Sequence, residues 1–263
     1  MKYPRMVWAG SQIRNAPQMR RKKMTTRNDY IDFVQSHNNR TNVYTTVYDF
    51  EYFTEKMPVE AGVIIDRIFL DFDAHEEELD KAWRDVKQVM ELVITNNYKH
   101  TLFFSGRGFH LFLFGKRTKN MRDVQTFFKE IKEYLVMKVG KDNTLDERVG
   151  QTTRLRRVPN TVNMSSSDGE GNARYCIPLT IDDLSLDIEE ILTMALKPRH
   201  LPFQKGGKNE VLFPKAPPIE AMEGSVSVPS SVGKLPMLPC LHNAVMVENP
   251  THLARAYLVS WYR

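Results

Sequence analysis

Residues 61 to 73, AGVIIDRIFLDFD, form a run of β-branched and aromatic positions that reads as a strand. In the next stretch, HEEELDKAWRDVKQVMELVITNN, Leu79, Trp83, Val86, Met90 and Val93 or Ile94 recur at helical spacing, and acidic residues crowd the first turn as the helix dipole favours. HTLFFSGRGFHLFLFG then sets two apolar runs either side of a glycine-bearing turn, the pattern of a hairpin. A helix is predicted near 120 to 138, with Val124, Phe127 or Phe128, Ile131 and Leu135 on one face. The order is strand, helix, hairpin, helix. Upstream, NDYIDFVQSH predicts a short helix opened by Asn28, and NVYTTVYDF a strand. Downstream, ARYCIPLT predicts a further strand and IDDLSLDIEEILTMAL an amphipathic helix.

From Pro198 to Pro239 the chain is rich in Pro, Gly, Lys and Ser, the composition of a linker. The segment PCLHNAVMVENPTHLARAYLVSWYR predicts two helices punctuated at Pro250, with no helix-ending signal at the last residue, the pattern of a piece of a longer polypeptide. The expected organisation is a basic arm over 1–27, a main domain over 28–197, a linker over 198–239 and the start of a helical domain over 240–263. No internal repeat is visible.

Charge sharpens this picture. Nine Lys and Arg against Asp29 and Asp32 give residues 1 to 40 a surplus of seven, while the whole chain carries only +5. An arm containing Arg20, Arg21, Lys22 and Lys23 can lie along a phosphate backbone and release counterions, or be no more than a solvated tail. At 263 residues and 41% hydrophobic content the chain can bury a substantial core, and no apolar run approaches a bilayer span, so a soluble protein is expected. Two cysteines, Cys176 and Cys240, are too few for a disulfide scaffold or a self-contained zinc site. The basic amino terminus lacks the apolar stretch of a signal peptide, so the expected location is cytoplasmic.

Three segments carry candidate chemistry. In IFLDFD, strand alternation puts Asp71 and Asp73 on one face, about 7 Å apart. Paired carboxylates suit a hard divalent cation such as Mg²⁺ or Mn²⁺, although an exposed strand end with solvated acids has the same pattern. In SGRGFH, Gly108 leads into an alternating run rather than a helix, so the turn is not a dinucleotide-binding fingerprint, and the Gly-Lys-Ser/Thr ending of a P-loop is missing. The alternatives left are a hairpin turn presenting Ser105, Arg107 and His110 to a ligand that approaches the glycine backbone, or a plain tight turn. In LDERVGQTTRLRRVPNTVN, Asp146 precedes Arg154, Arg156 and Arg157, whose forked donors suit a phosphate, or else belong to an edge strand that discourages aggregation. Together the segments supply the carboxylates and cationic groups of two-metal phosphoryl transfer.

In this combination IFLDFD, SGRGFH and RRVPNTVN resemble the three signatures of the archaeo-eukaryotic primase superfamily: an hhhDhD strand, an sGxGxH hairpin and an hR-x-P-x-T-x-N/H element. More narrowly, they resemble the primase-polymerases of archaeal plasmids and phages. LDERV is similar to the family's LDxxV. The resemblance covers roughly residues 40 to 197 and implies an α/β fold: an RRM-like twisted sheet, antiparallel or mixed, with flanking helices, an N-terminal α/β unit and a small C-terminal helical appendage.

It further implies that Asp71, Asp73 and Asp146 bind catalytic Mg²⁺ or Mn²⁺. Ser105, Arg107 and His110 would contact the incoming nucleotide. Arg157 is the better match to the basic residue of the third signature and Arg154 the second, with Asn163 at its polar end. The implied activity is template-directed nucleotidyl transfer that makes, and extends, primers on single-stranded DNA from nucleoside triphosphates, with a helicase or another replication protein as an optional partner. The zinc-knob ligands of the replicative primase small subunit are missing, so no zinc is expected. The tail from Leu235 is faintly similar to the start of the iron–sulfur domain of the primase large subunit, but Cys240 alone cannot hold a cluster. Two other readings remain open at this point: a repair or translesion polymerase that extends existing ends, and a replication initiator that binds DNA without chemistry.

Overall fold

A computed structural model describes residues 3–10, 21–53, 62–74, 78–148, 150–168, 170–201 and 206–217. The chain divides into two units, Met1–Ala216 and Pro217–Arg263. The second, with Cys240 and the two helices expected there, lies outside the described residues apart from Pro217, as do residues 218–239 of the expected linker. The fold is α/β, and among the described residues no helix is long and apolar enough to cross a membrane.

A five-stranded antiparallel sheet forms the centre. Its long strands are β5 (Val63–Asp73), β6 (His100–Phe104) and β7 (Gly108–Thr118), and its edges are β4 (Asp49–Phe50) and β11 (Ile177–Leu179). The order is β11-β6-β7-β5-β4. Strand alternation gives this sheet two different faces. Leu70, Phe72, Phe104, Phe109 and Leu111 belong to one continuous core with helices α2 (Leu79–Thr95) and α3 (Met121–Val139), and Trp83 stacks on Phe109 at 4.8 Å between ring centroids. These helices, the hairpin and β5 lie where the periodicity predicts them. The other face carries Phe69, Asp71, Phe103, His110 and Phe112, and it meets a second sheet.

That second, four-stranded sheet has the order β2-β1-β3-β8, from β1 (Arg5–Ala9), β2 (Lys22–Met24), β3 (Val43–Thr46) and β8 (Leu155–Arg157). Helix α1 (Arg27–His37) packs on it through Tyr30 and Phe33. The side chain of Thr26, two residues before the expected start at Asn28, accepts from the Asp29 amide and caps α1. Asp49, nearly inaccessible, binds guanidinium groups from both sheets: Arg5 of β1, and Arg67 of β5 at 2.9 Å. A small pair, β9 (Val162–Ser167) and β10 (Ala173–Tyr175), completes the strands.

The structure differs from the sequence reading in four places. Residues 5–9 and 22–24, expected in a basic arm, are sheet strands: Met6 and Val7 are buried, and Lys22 and Lys23 lie over the rings of Phe33 and Phe53. The single strand expected at 42–50 breaks after Thr46, so that β3 and β4 join different sheets. ARYCIPLT divides at Cys176 into β10 and β11 for the same reason. The helix expected from 181 becomes a 3-10 turn (Asp182–Ser185) followed by α4 (Ile188–Met194), which a reciprocal capping box of Asp187 and Glu190 starts afresh. The described part of the expected linker docks on the main unit, where Val211 is buried and its amide donates to the carbonyl of Phe114.

Candidate active site

Antiparallel register places the first two sequence segments side by side. Asp71 lies opposite His110, and Asp73 opposite Gly108. A glycine is required there, since a Cβ at 108 would lie 2.3 Å from the carbonyl oxygen of Phe72. At the turn Gly106 has φ +94, and a Cβ there would lie 2.7 Å from that of Asn163. The third segment closes onto this turn: Asn163 Nδ2 donates to the Ser105 carbonyl at 3.2 Å and Ser166 Oγ to that of Gly106 at 2.5 Å.

Asp146 arrives by a backbone route. Leu145 bridges Phe72, the Asp146 amide donates to the Asp71 carbonyl at 2.8 Å, and the Asp73 amide donates to the carbonyl of Thr144 at 3.1 Å. Thr144 is itself held by buried Asp85 of α2, whose Oδ2 accepts from its amide at 2.8 Å and its hydroxyl at 3.0 Å. Asp85 thus positions Asp146 without reaching the crevice. An acid on the apolar stripe between Ala82 and Val89 was the available sign of it.

The carboxylates converge on a cation. One guanidinium nitrogen of Arg154, Nη2, donates to Asp71 Oδ2 at 2.8 Å and to Asp146 Oδ2 at 2.7 Å. Arg148 adds a contact to Asp146 at 3.1 Å, and Arg107 reaches Asp73 at 3.2 Å. Burial pushes the Asp71 carboxyl up to about 6 despite Arg154. Burial also opposes ionisation of Asp146, yet hydrogen bonds from Arg154 and Arg148 hold it below the ordinary carboxylate range. His110 Nε2 lies 3.6 Å from Asp71, and its Nδ1 is buried without a partner. Burial, with Arg156, Arg157 and Arg154 facing it, pushes the imidazole well below its usual 6.5, so it is neutral at pH 7.

All nine predicted carboxylate and nucleotide-contact residues border one cavity of about 600 Å³: Asp71, Asp73, Asp146, Ser105, Arg107, His110, Arg154, Arg157 and Asn163. Their places in its wall differ from one another. Arg154, not Arg157, meets the carboxylates. Arg157 is buried, donates to Asn42 Oδ1 at 2.7 Å and the Tyr44 hydroxyl at 3.3 Å, and lies 5.0 Å from the Tyr44 ring centroid, so it braces β8 against β3. Of the expected DNA-binding residues, Arg21 borders the cavity and donates to the carbonyl of Thr153, Lys22 and Lys23 stand away from it, and Arg20 lies outside the described residues.

The donors suit a hard divalent cation in kind, since two carboxylate oxygens already converge on one positive centre. Asp73 is turned toward Arg107. Among the described residues, no group of three His, Cys, Asp or Glu side chains is arranged to hold a metal ion as they stand.

No family model and no curated protein matches this chain. Among solved structures, the chain is similar to the polymerase domain of Ligase D from Mycobacterium tuberculosis, determined in complex with DNA. The TM-score is 0.45 at 13% identity, over 72% of this chain and 70% of that one. A likeness of this extent says nothing about what the present chain does.

Proposed function

We propose that this chain is a DNA primase-polymerase, a nucleotidyltransferase that makes and extends primers on single-stranded DNA in plasmid or phage replication. The observation that carries this reading is the convergence of Asp71 and Asp146, from segments far apart in sequence, on a single nitrogen of Arg154 beside the glycine turn. Asp71 and Asp146 would hold Mg²⁺ or Mn²⁺, with Asp73 as third ligand once it leaves Arg107. When bound, the cation supplies Lewis-acid activation of the attacking 3′-hydroxyl and charge neutralisation at the leaving pyrophosphate.

The chain's own residues do the rest. Arg154, freed from its carboxylates, remains beside the crevice as a donor for triphosphate oxygens. Arg107, half-exposed on the turn, is a second such donor. Neutral His110 can donate one hydrogen bond to a phosphate without adding a charge that would repel the metal. The cavity is of the size of small-molecule sites and would admit a nucleoside triphosphate.

Incubation with unprimed single-stranded DNA, labelled nucleotides and either Mg²⁺ or Mn²⁺ tests this. Dinucleotides and longer products are expected. The double variant Asp71→Ala with Asp73→Ala should lower synthesis by at least about a thousandfold while DNA affinity, read by fluorescence anisotropy, holds. Undiminished synthesis by that variant would end the assignment. Extension of added primers with no dinucleotide product would point instead to an end-extending repair polymerase.

A further inference from the structure

A second cavity, of about 680 Å³, lies behind the crevice, between α1, β6, β8 and the segment around residues 178–181. It shares only Arg156 with the crevice lining. Strand alternation explains the division. Arg157 and Leu155 of β8 face the Tyr44 side of the sheet, whereas Arg156 points the other way, over the rings of Phe103 at 5.5 Å and Phe112 at 5.0 Å.

Its walls are largely apolar, and two of the polar side chains that line it carry a buried donor without a partner. Arg156 is 91% buried, by its 9% exposure, and burial lowers its pKa only to about 10, so it is a cation at neutral pH. It has no ion pair among the described residues. Its one hydrogen bond runs from Nη1 to the carbonyl of Arg157 at 3.3 Å, and Nε has no partner. The hydroxyl of Tyr30, which also lines the cavity, is buried without a partner. The other arginine, Arg199, is already matched by Asp183. No aspartate or glutamate is among the described lining residues. Buried polar groups are otherwise hydrogen-bonded and buried charges paired, so two orphan donors in one apolar cavity mark a missing acceptor that carries negative charge.

The geometry points to this cavity as a binding site for a small amphipathic anion, with a flat apolar body lying against Phe103 and Leu102 and a carboxylate-like group accepting from Arg156 and the Tyr30 hydroxyl. The inference does not depend on the activity proposed for the crevice.

Titration calorimetry of the full chain with 2-naphthoate tests it, with naphthalene-2-carboxamide as the neutral counterpart. One saturable site is expected for the carboxylate. The amide should bind at least about tenfold more weakly, and Arg156→Met should weaken 2-naphthoate by a similar factor. Tyr30→Phe should cost about threefold or more, and Val34→Trp, which projects a bulky ring into the cavity, should weaken binding at least about tenfold. Equal affinities in wild type and Arg156→Met, or no saturable binding at millimolar ligand, would overturn the proposal. Displacement of 2-naphthoate by excess nucleoside triphosphate would do so too, because it would put the ligand in the crevice. If Arg156→Met fails to fold, Val34→Trp decides: weakened binding supports the site and undiminished binding refutes it.

Discussion

The two cavities lie against the same short strand, β8 with Arg154 at its start, and they treat their arginines in opposite ways. In the crevice Arg154 is shared by two carboxylates, Asp146 is further held by Arg148, and Arg107 answers Asp73. In the apolar cavity Arg156 rests on two aromatic rings with no counterion among the described residues. The first region contains a balanced set of charges that a cation can enter by exchange, the second an unbalanced one that an anion can complete. A guanidinium two residues along the chain thus acquires a different role although both face the same sheet: Arg154 lies over Phe69 beside the carboxylates, and Arg156 lies over Phe103 and Phe112 instead.

The sharpest way to break this comparison is to remove each arginine in turn. Arg154→Met leaves two adjacent carboxylates without their shared cation and should cost roughly 2–4 kcal/mol in urea unfolding, with part of the loss recovered by millimolar Mn²⁺. Arg156→Met deletes an unpaired buried charge and keeps the volume. What it loses in cation–π contact it regains in desolvation, so stability should stay within about 1 kcal/mol of wild type. If Arg156→Met proved the more damaging of the two, the contrast would be wrong.

A smaller effect sharpens the same contrast through pH. Asp71 has a folded pKa of about 6, above its ordinary 3.8, so its contribution to stability is full below 3.8 and lost as pH rises through about 6. His110 is depressed below 6.5, so its contribution is present above 6.5 and lost as pH falls. Between pH 7 and 5 the two oppose each other, and the metal-free wild type should show a muted dependence. Asp71→Asn should make acidification to pH 5 more destabilising by about 1 kcal/mol, whereas His110→Asn should reverse the sign, both read from urea midpoints at the two pH values.

Much of this was legible in the sequence where one period ran long enough to be read. The stripe from Leu79 to Val93 and the alternation of IFLDFD and GFHLFLF reflect burial of a whole face, and such patterns survive tertiary context. Short elements did not announce themselves. Val43 to Phe50 is a continuous β-prone run, yet it changes sheets after Thr46 because Asp49 is drawn to Arg5 and Arg67, partners remote in sequence. Lys22 and Lys23 read as part of a basic arm, either laid along a phosphate backbone or solvated. They stand on an edge strand, where lysines discourage further pairing, with their stems laid on aromatic rings.

The candidate site was legible as a set of residues but not as a set of contacts. Motif spacing singled out the arginines near 154–157, but the pleat of β8 turned Arg157 toward Tyr44, and the place of each along the facing sheet decided that Arg154 meets Asp71 while Arg156 enters a separate cavity. Asp85 left only a faint trace, a single acid on a buried helical face, because its partners are the amide and hydroxyl of one threonine remote in sequence, which no sequence pattern can mark.

The ion pairs at Asp49 carry a wider consequence. One carboxylate receives guanidinium groups from both sheets, so an ion-pair pin that lines neither hollow contributes to the spacing of the two walls. Substitutions among the residues that line the hollows can therefore reshape what is admitted while that pin stays in place. Such a frame is open to changes of specificity.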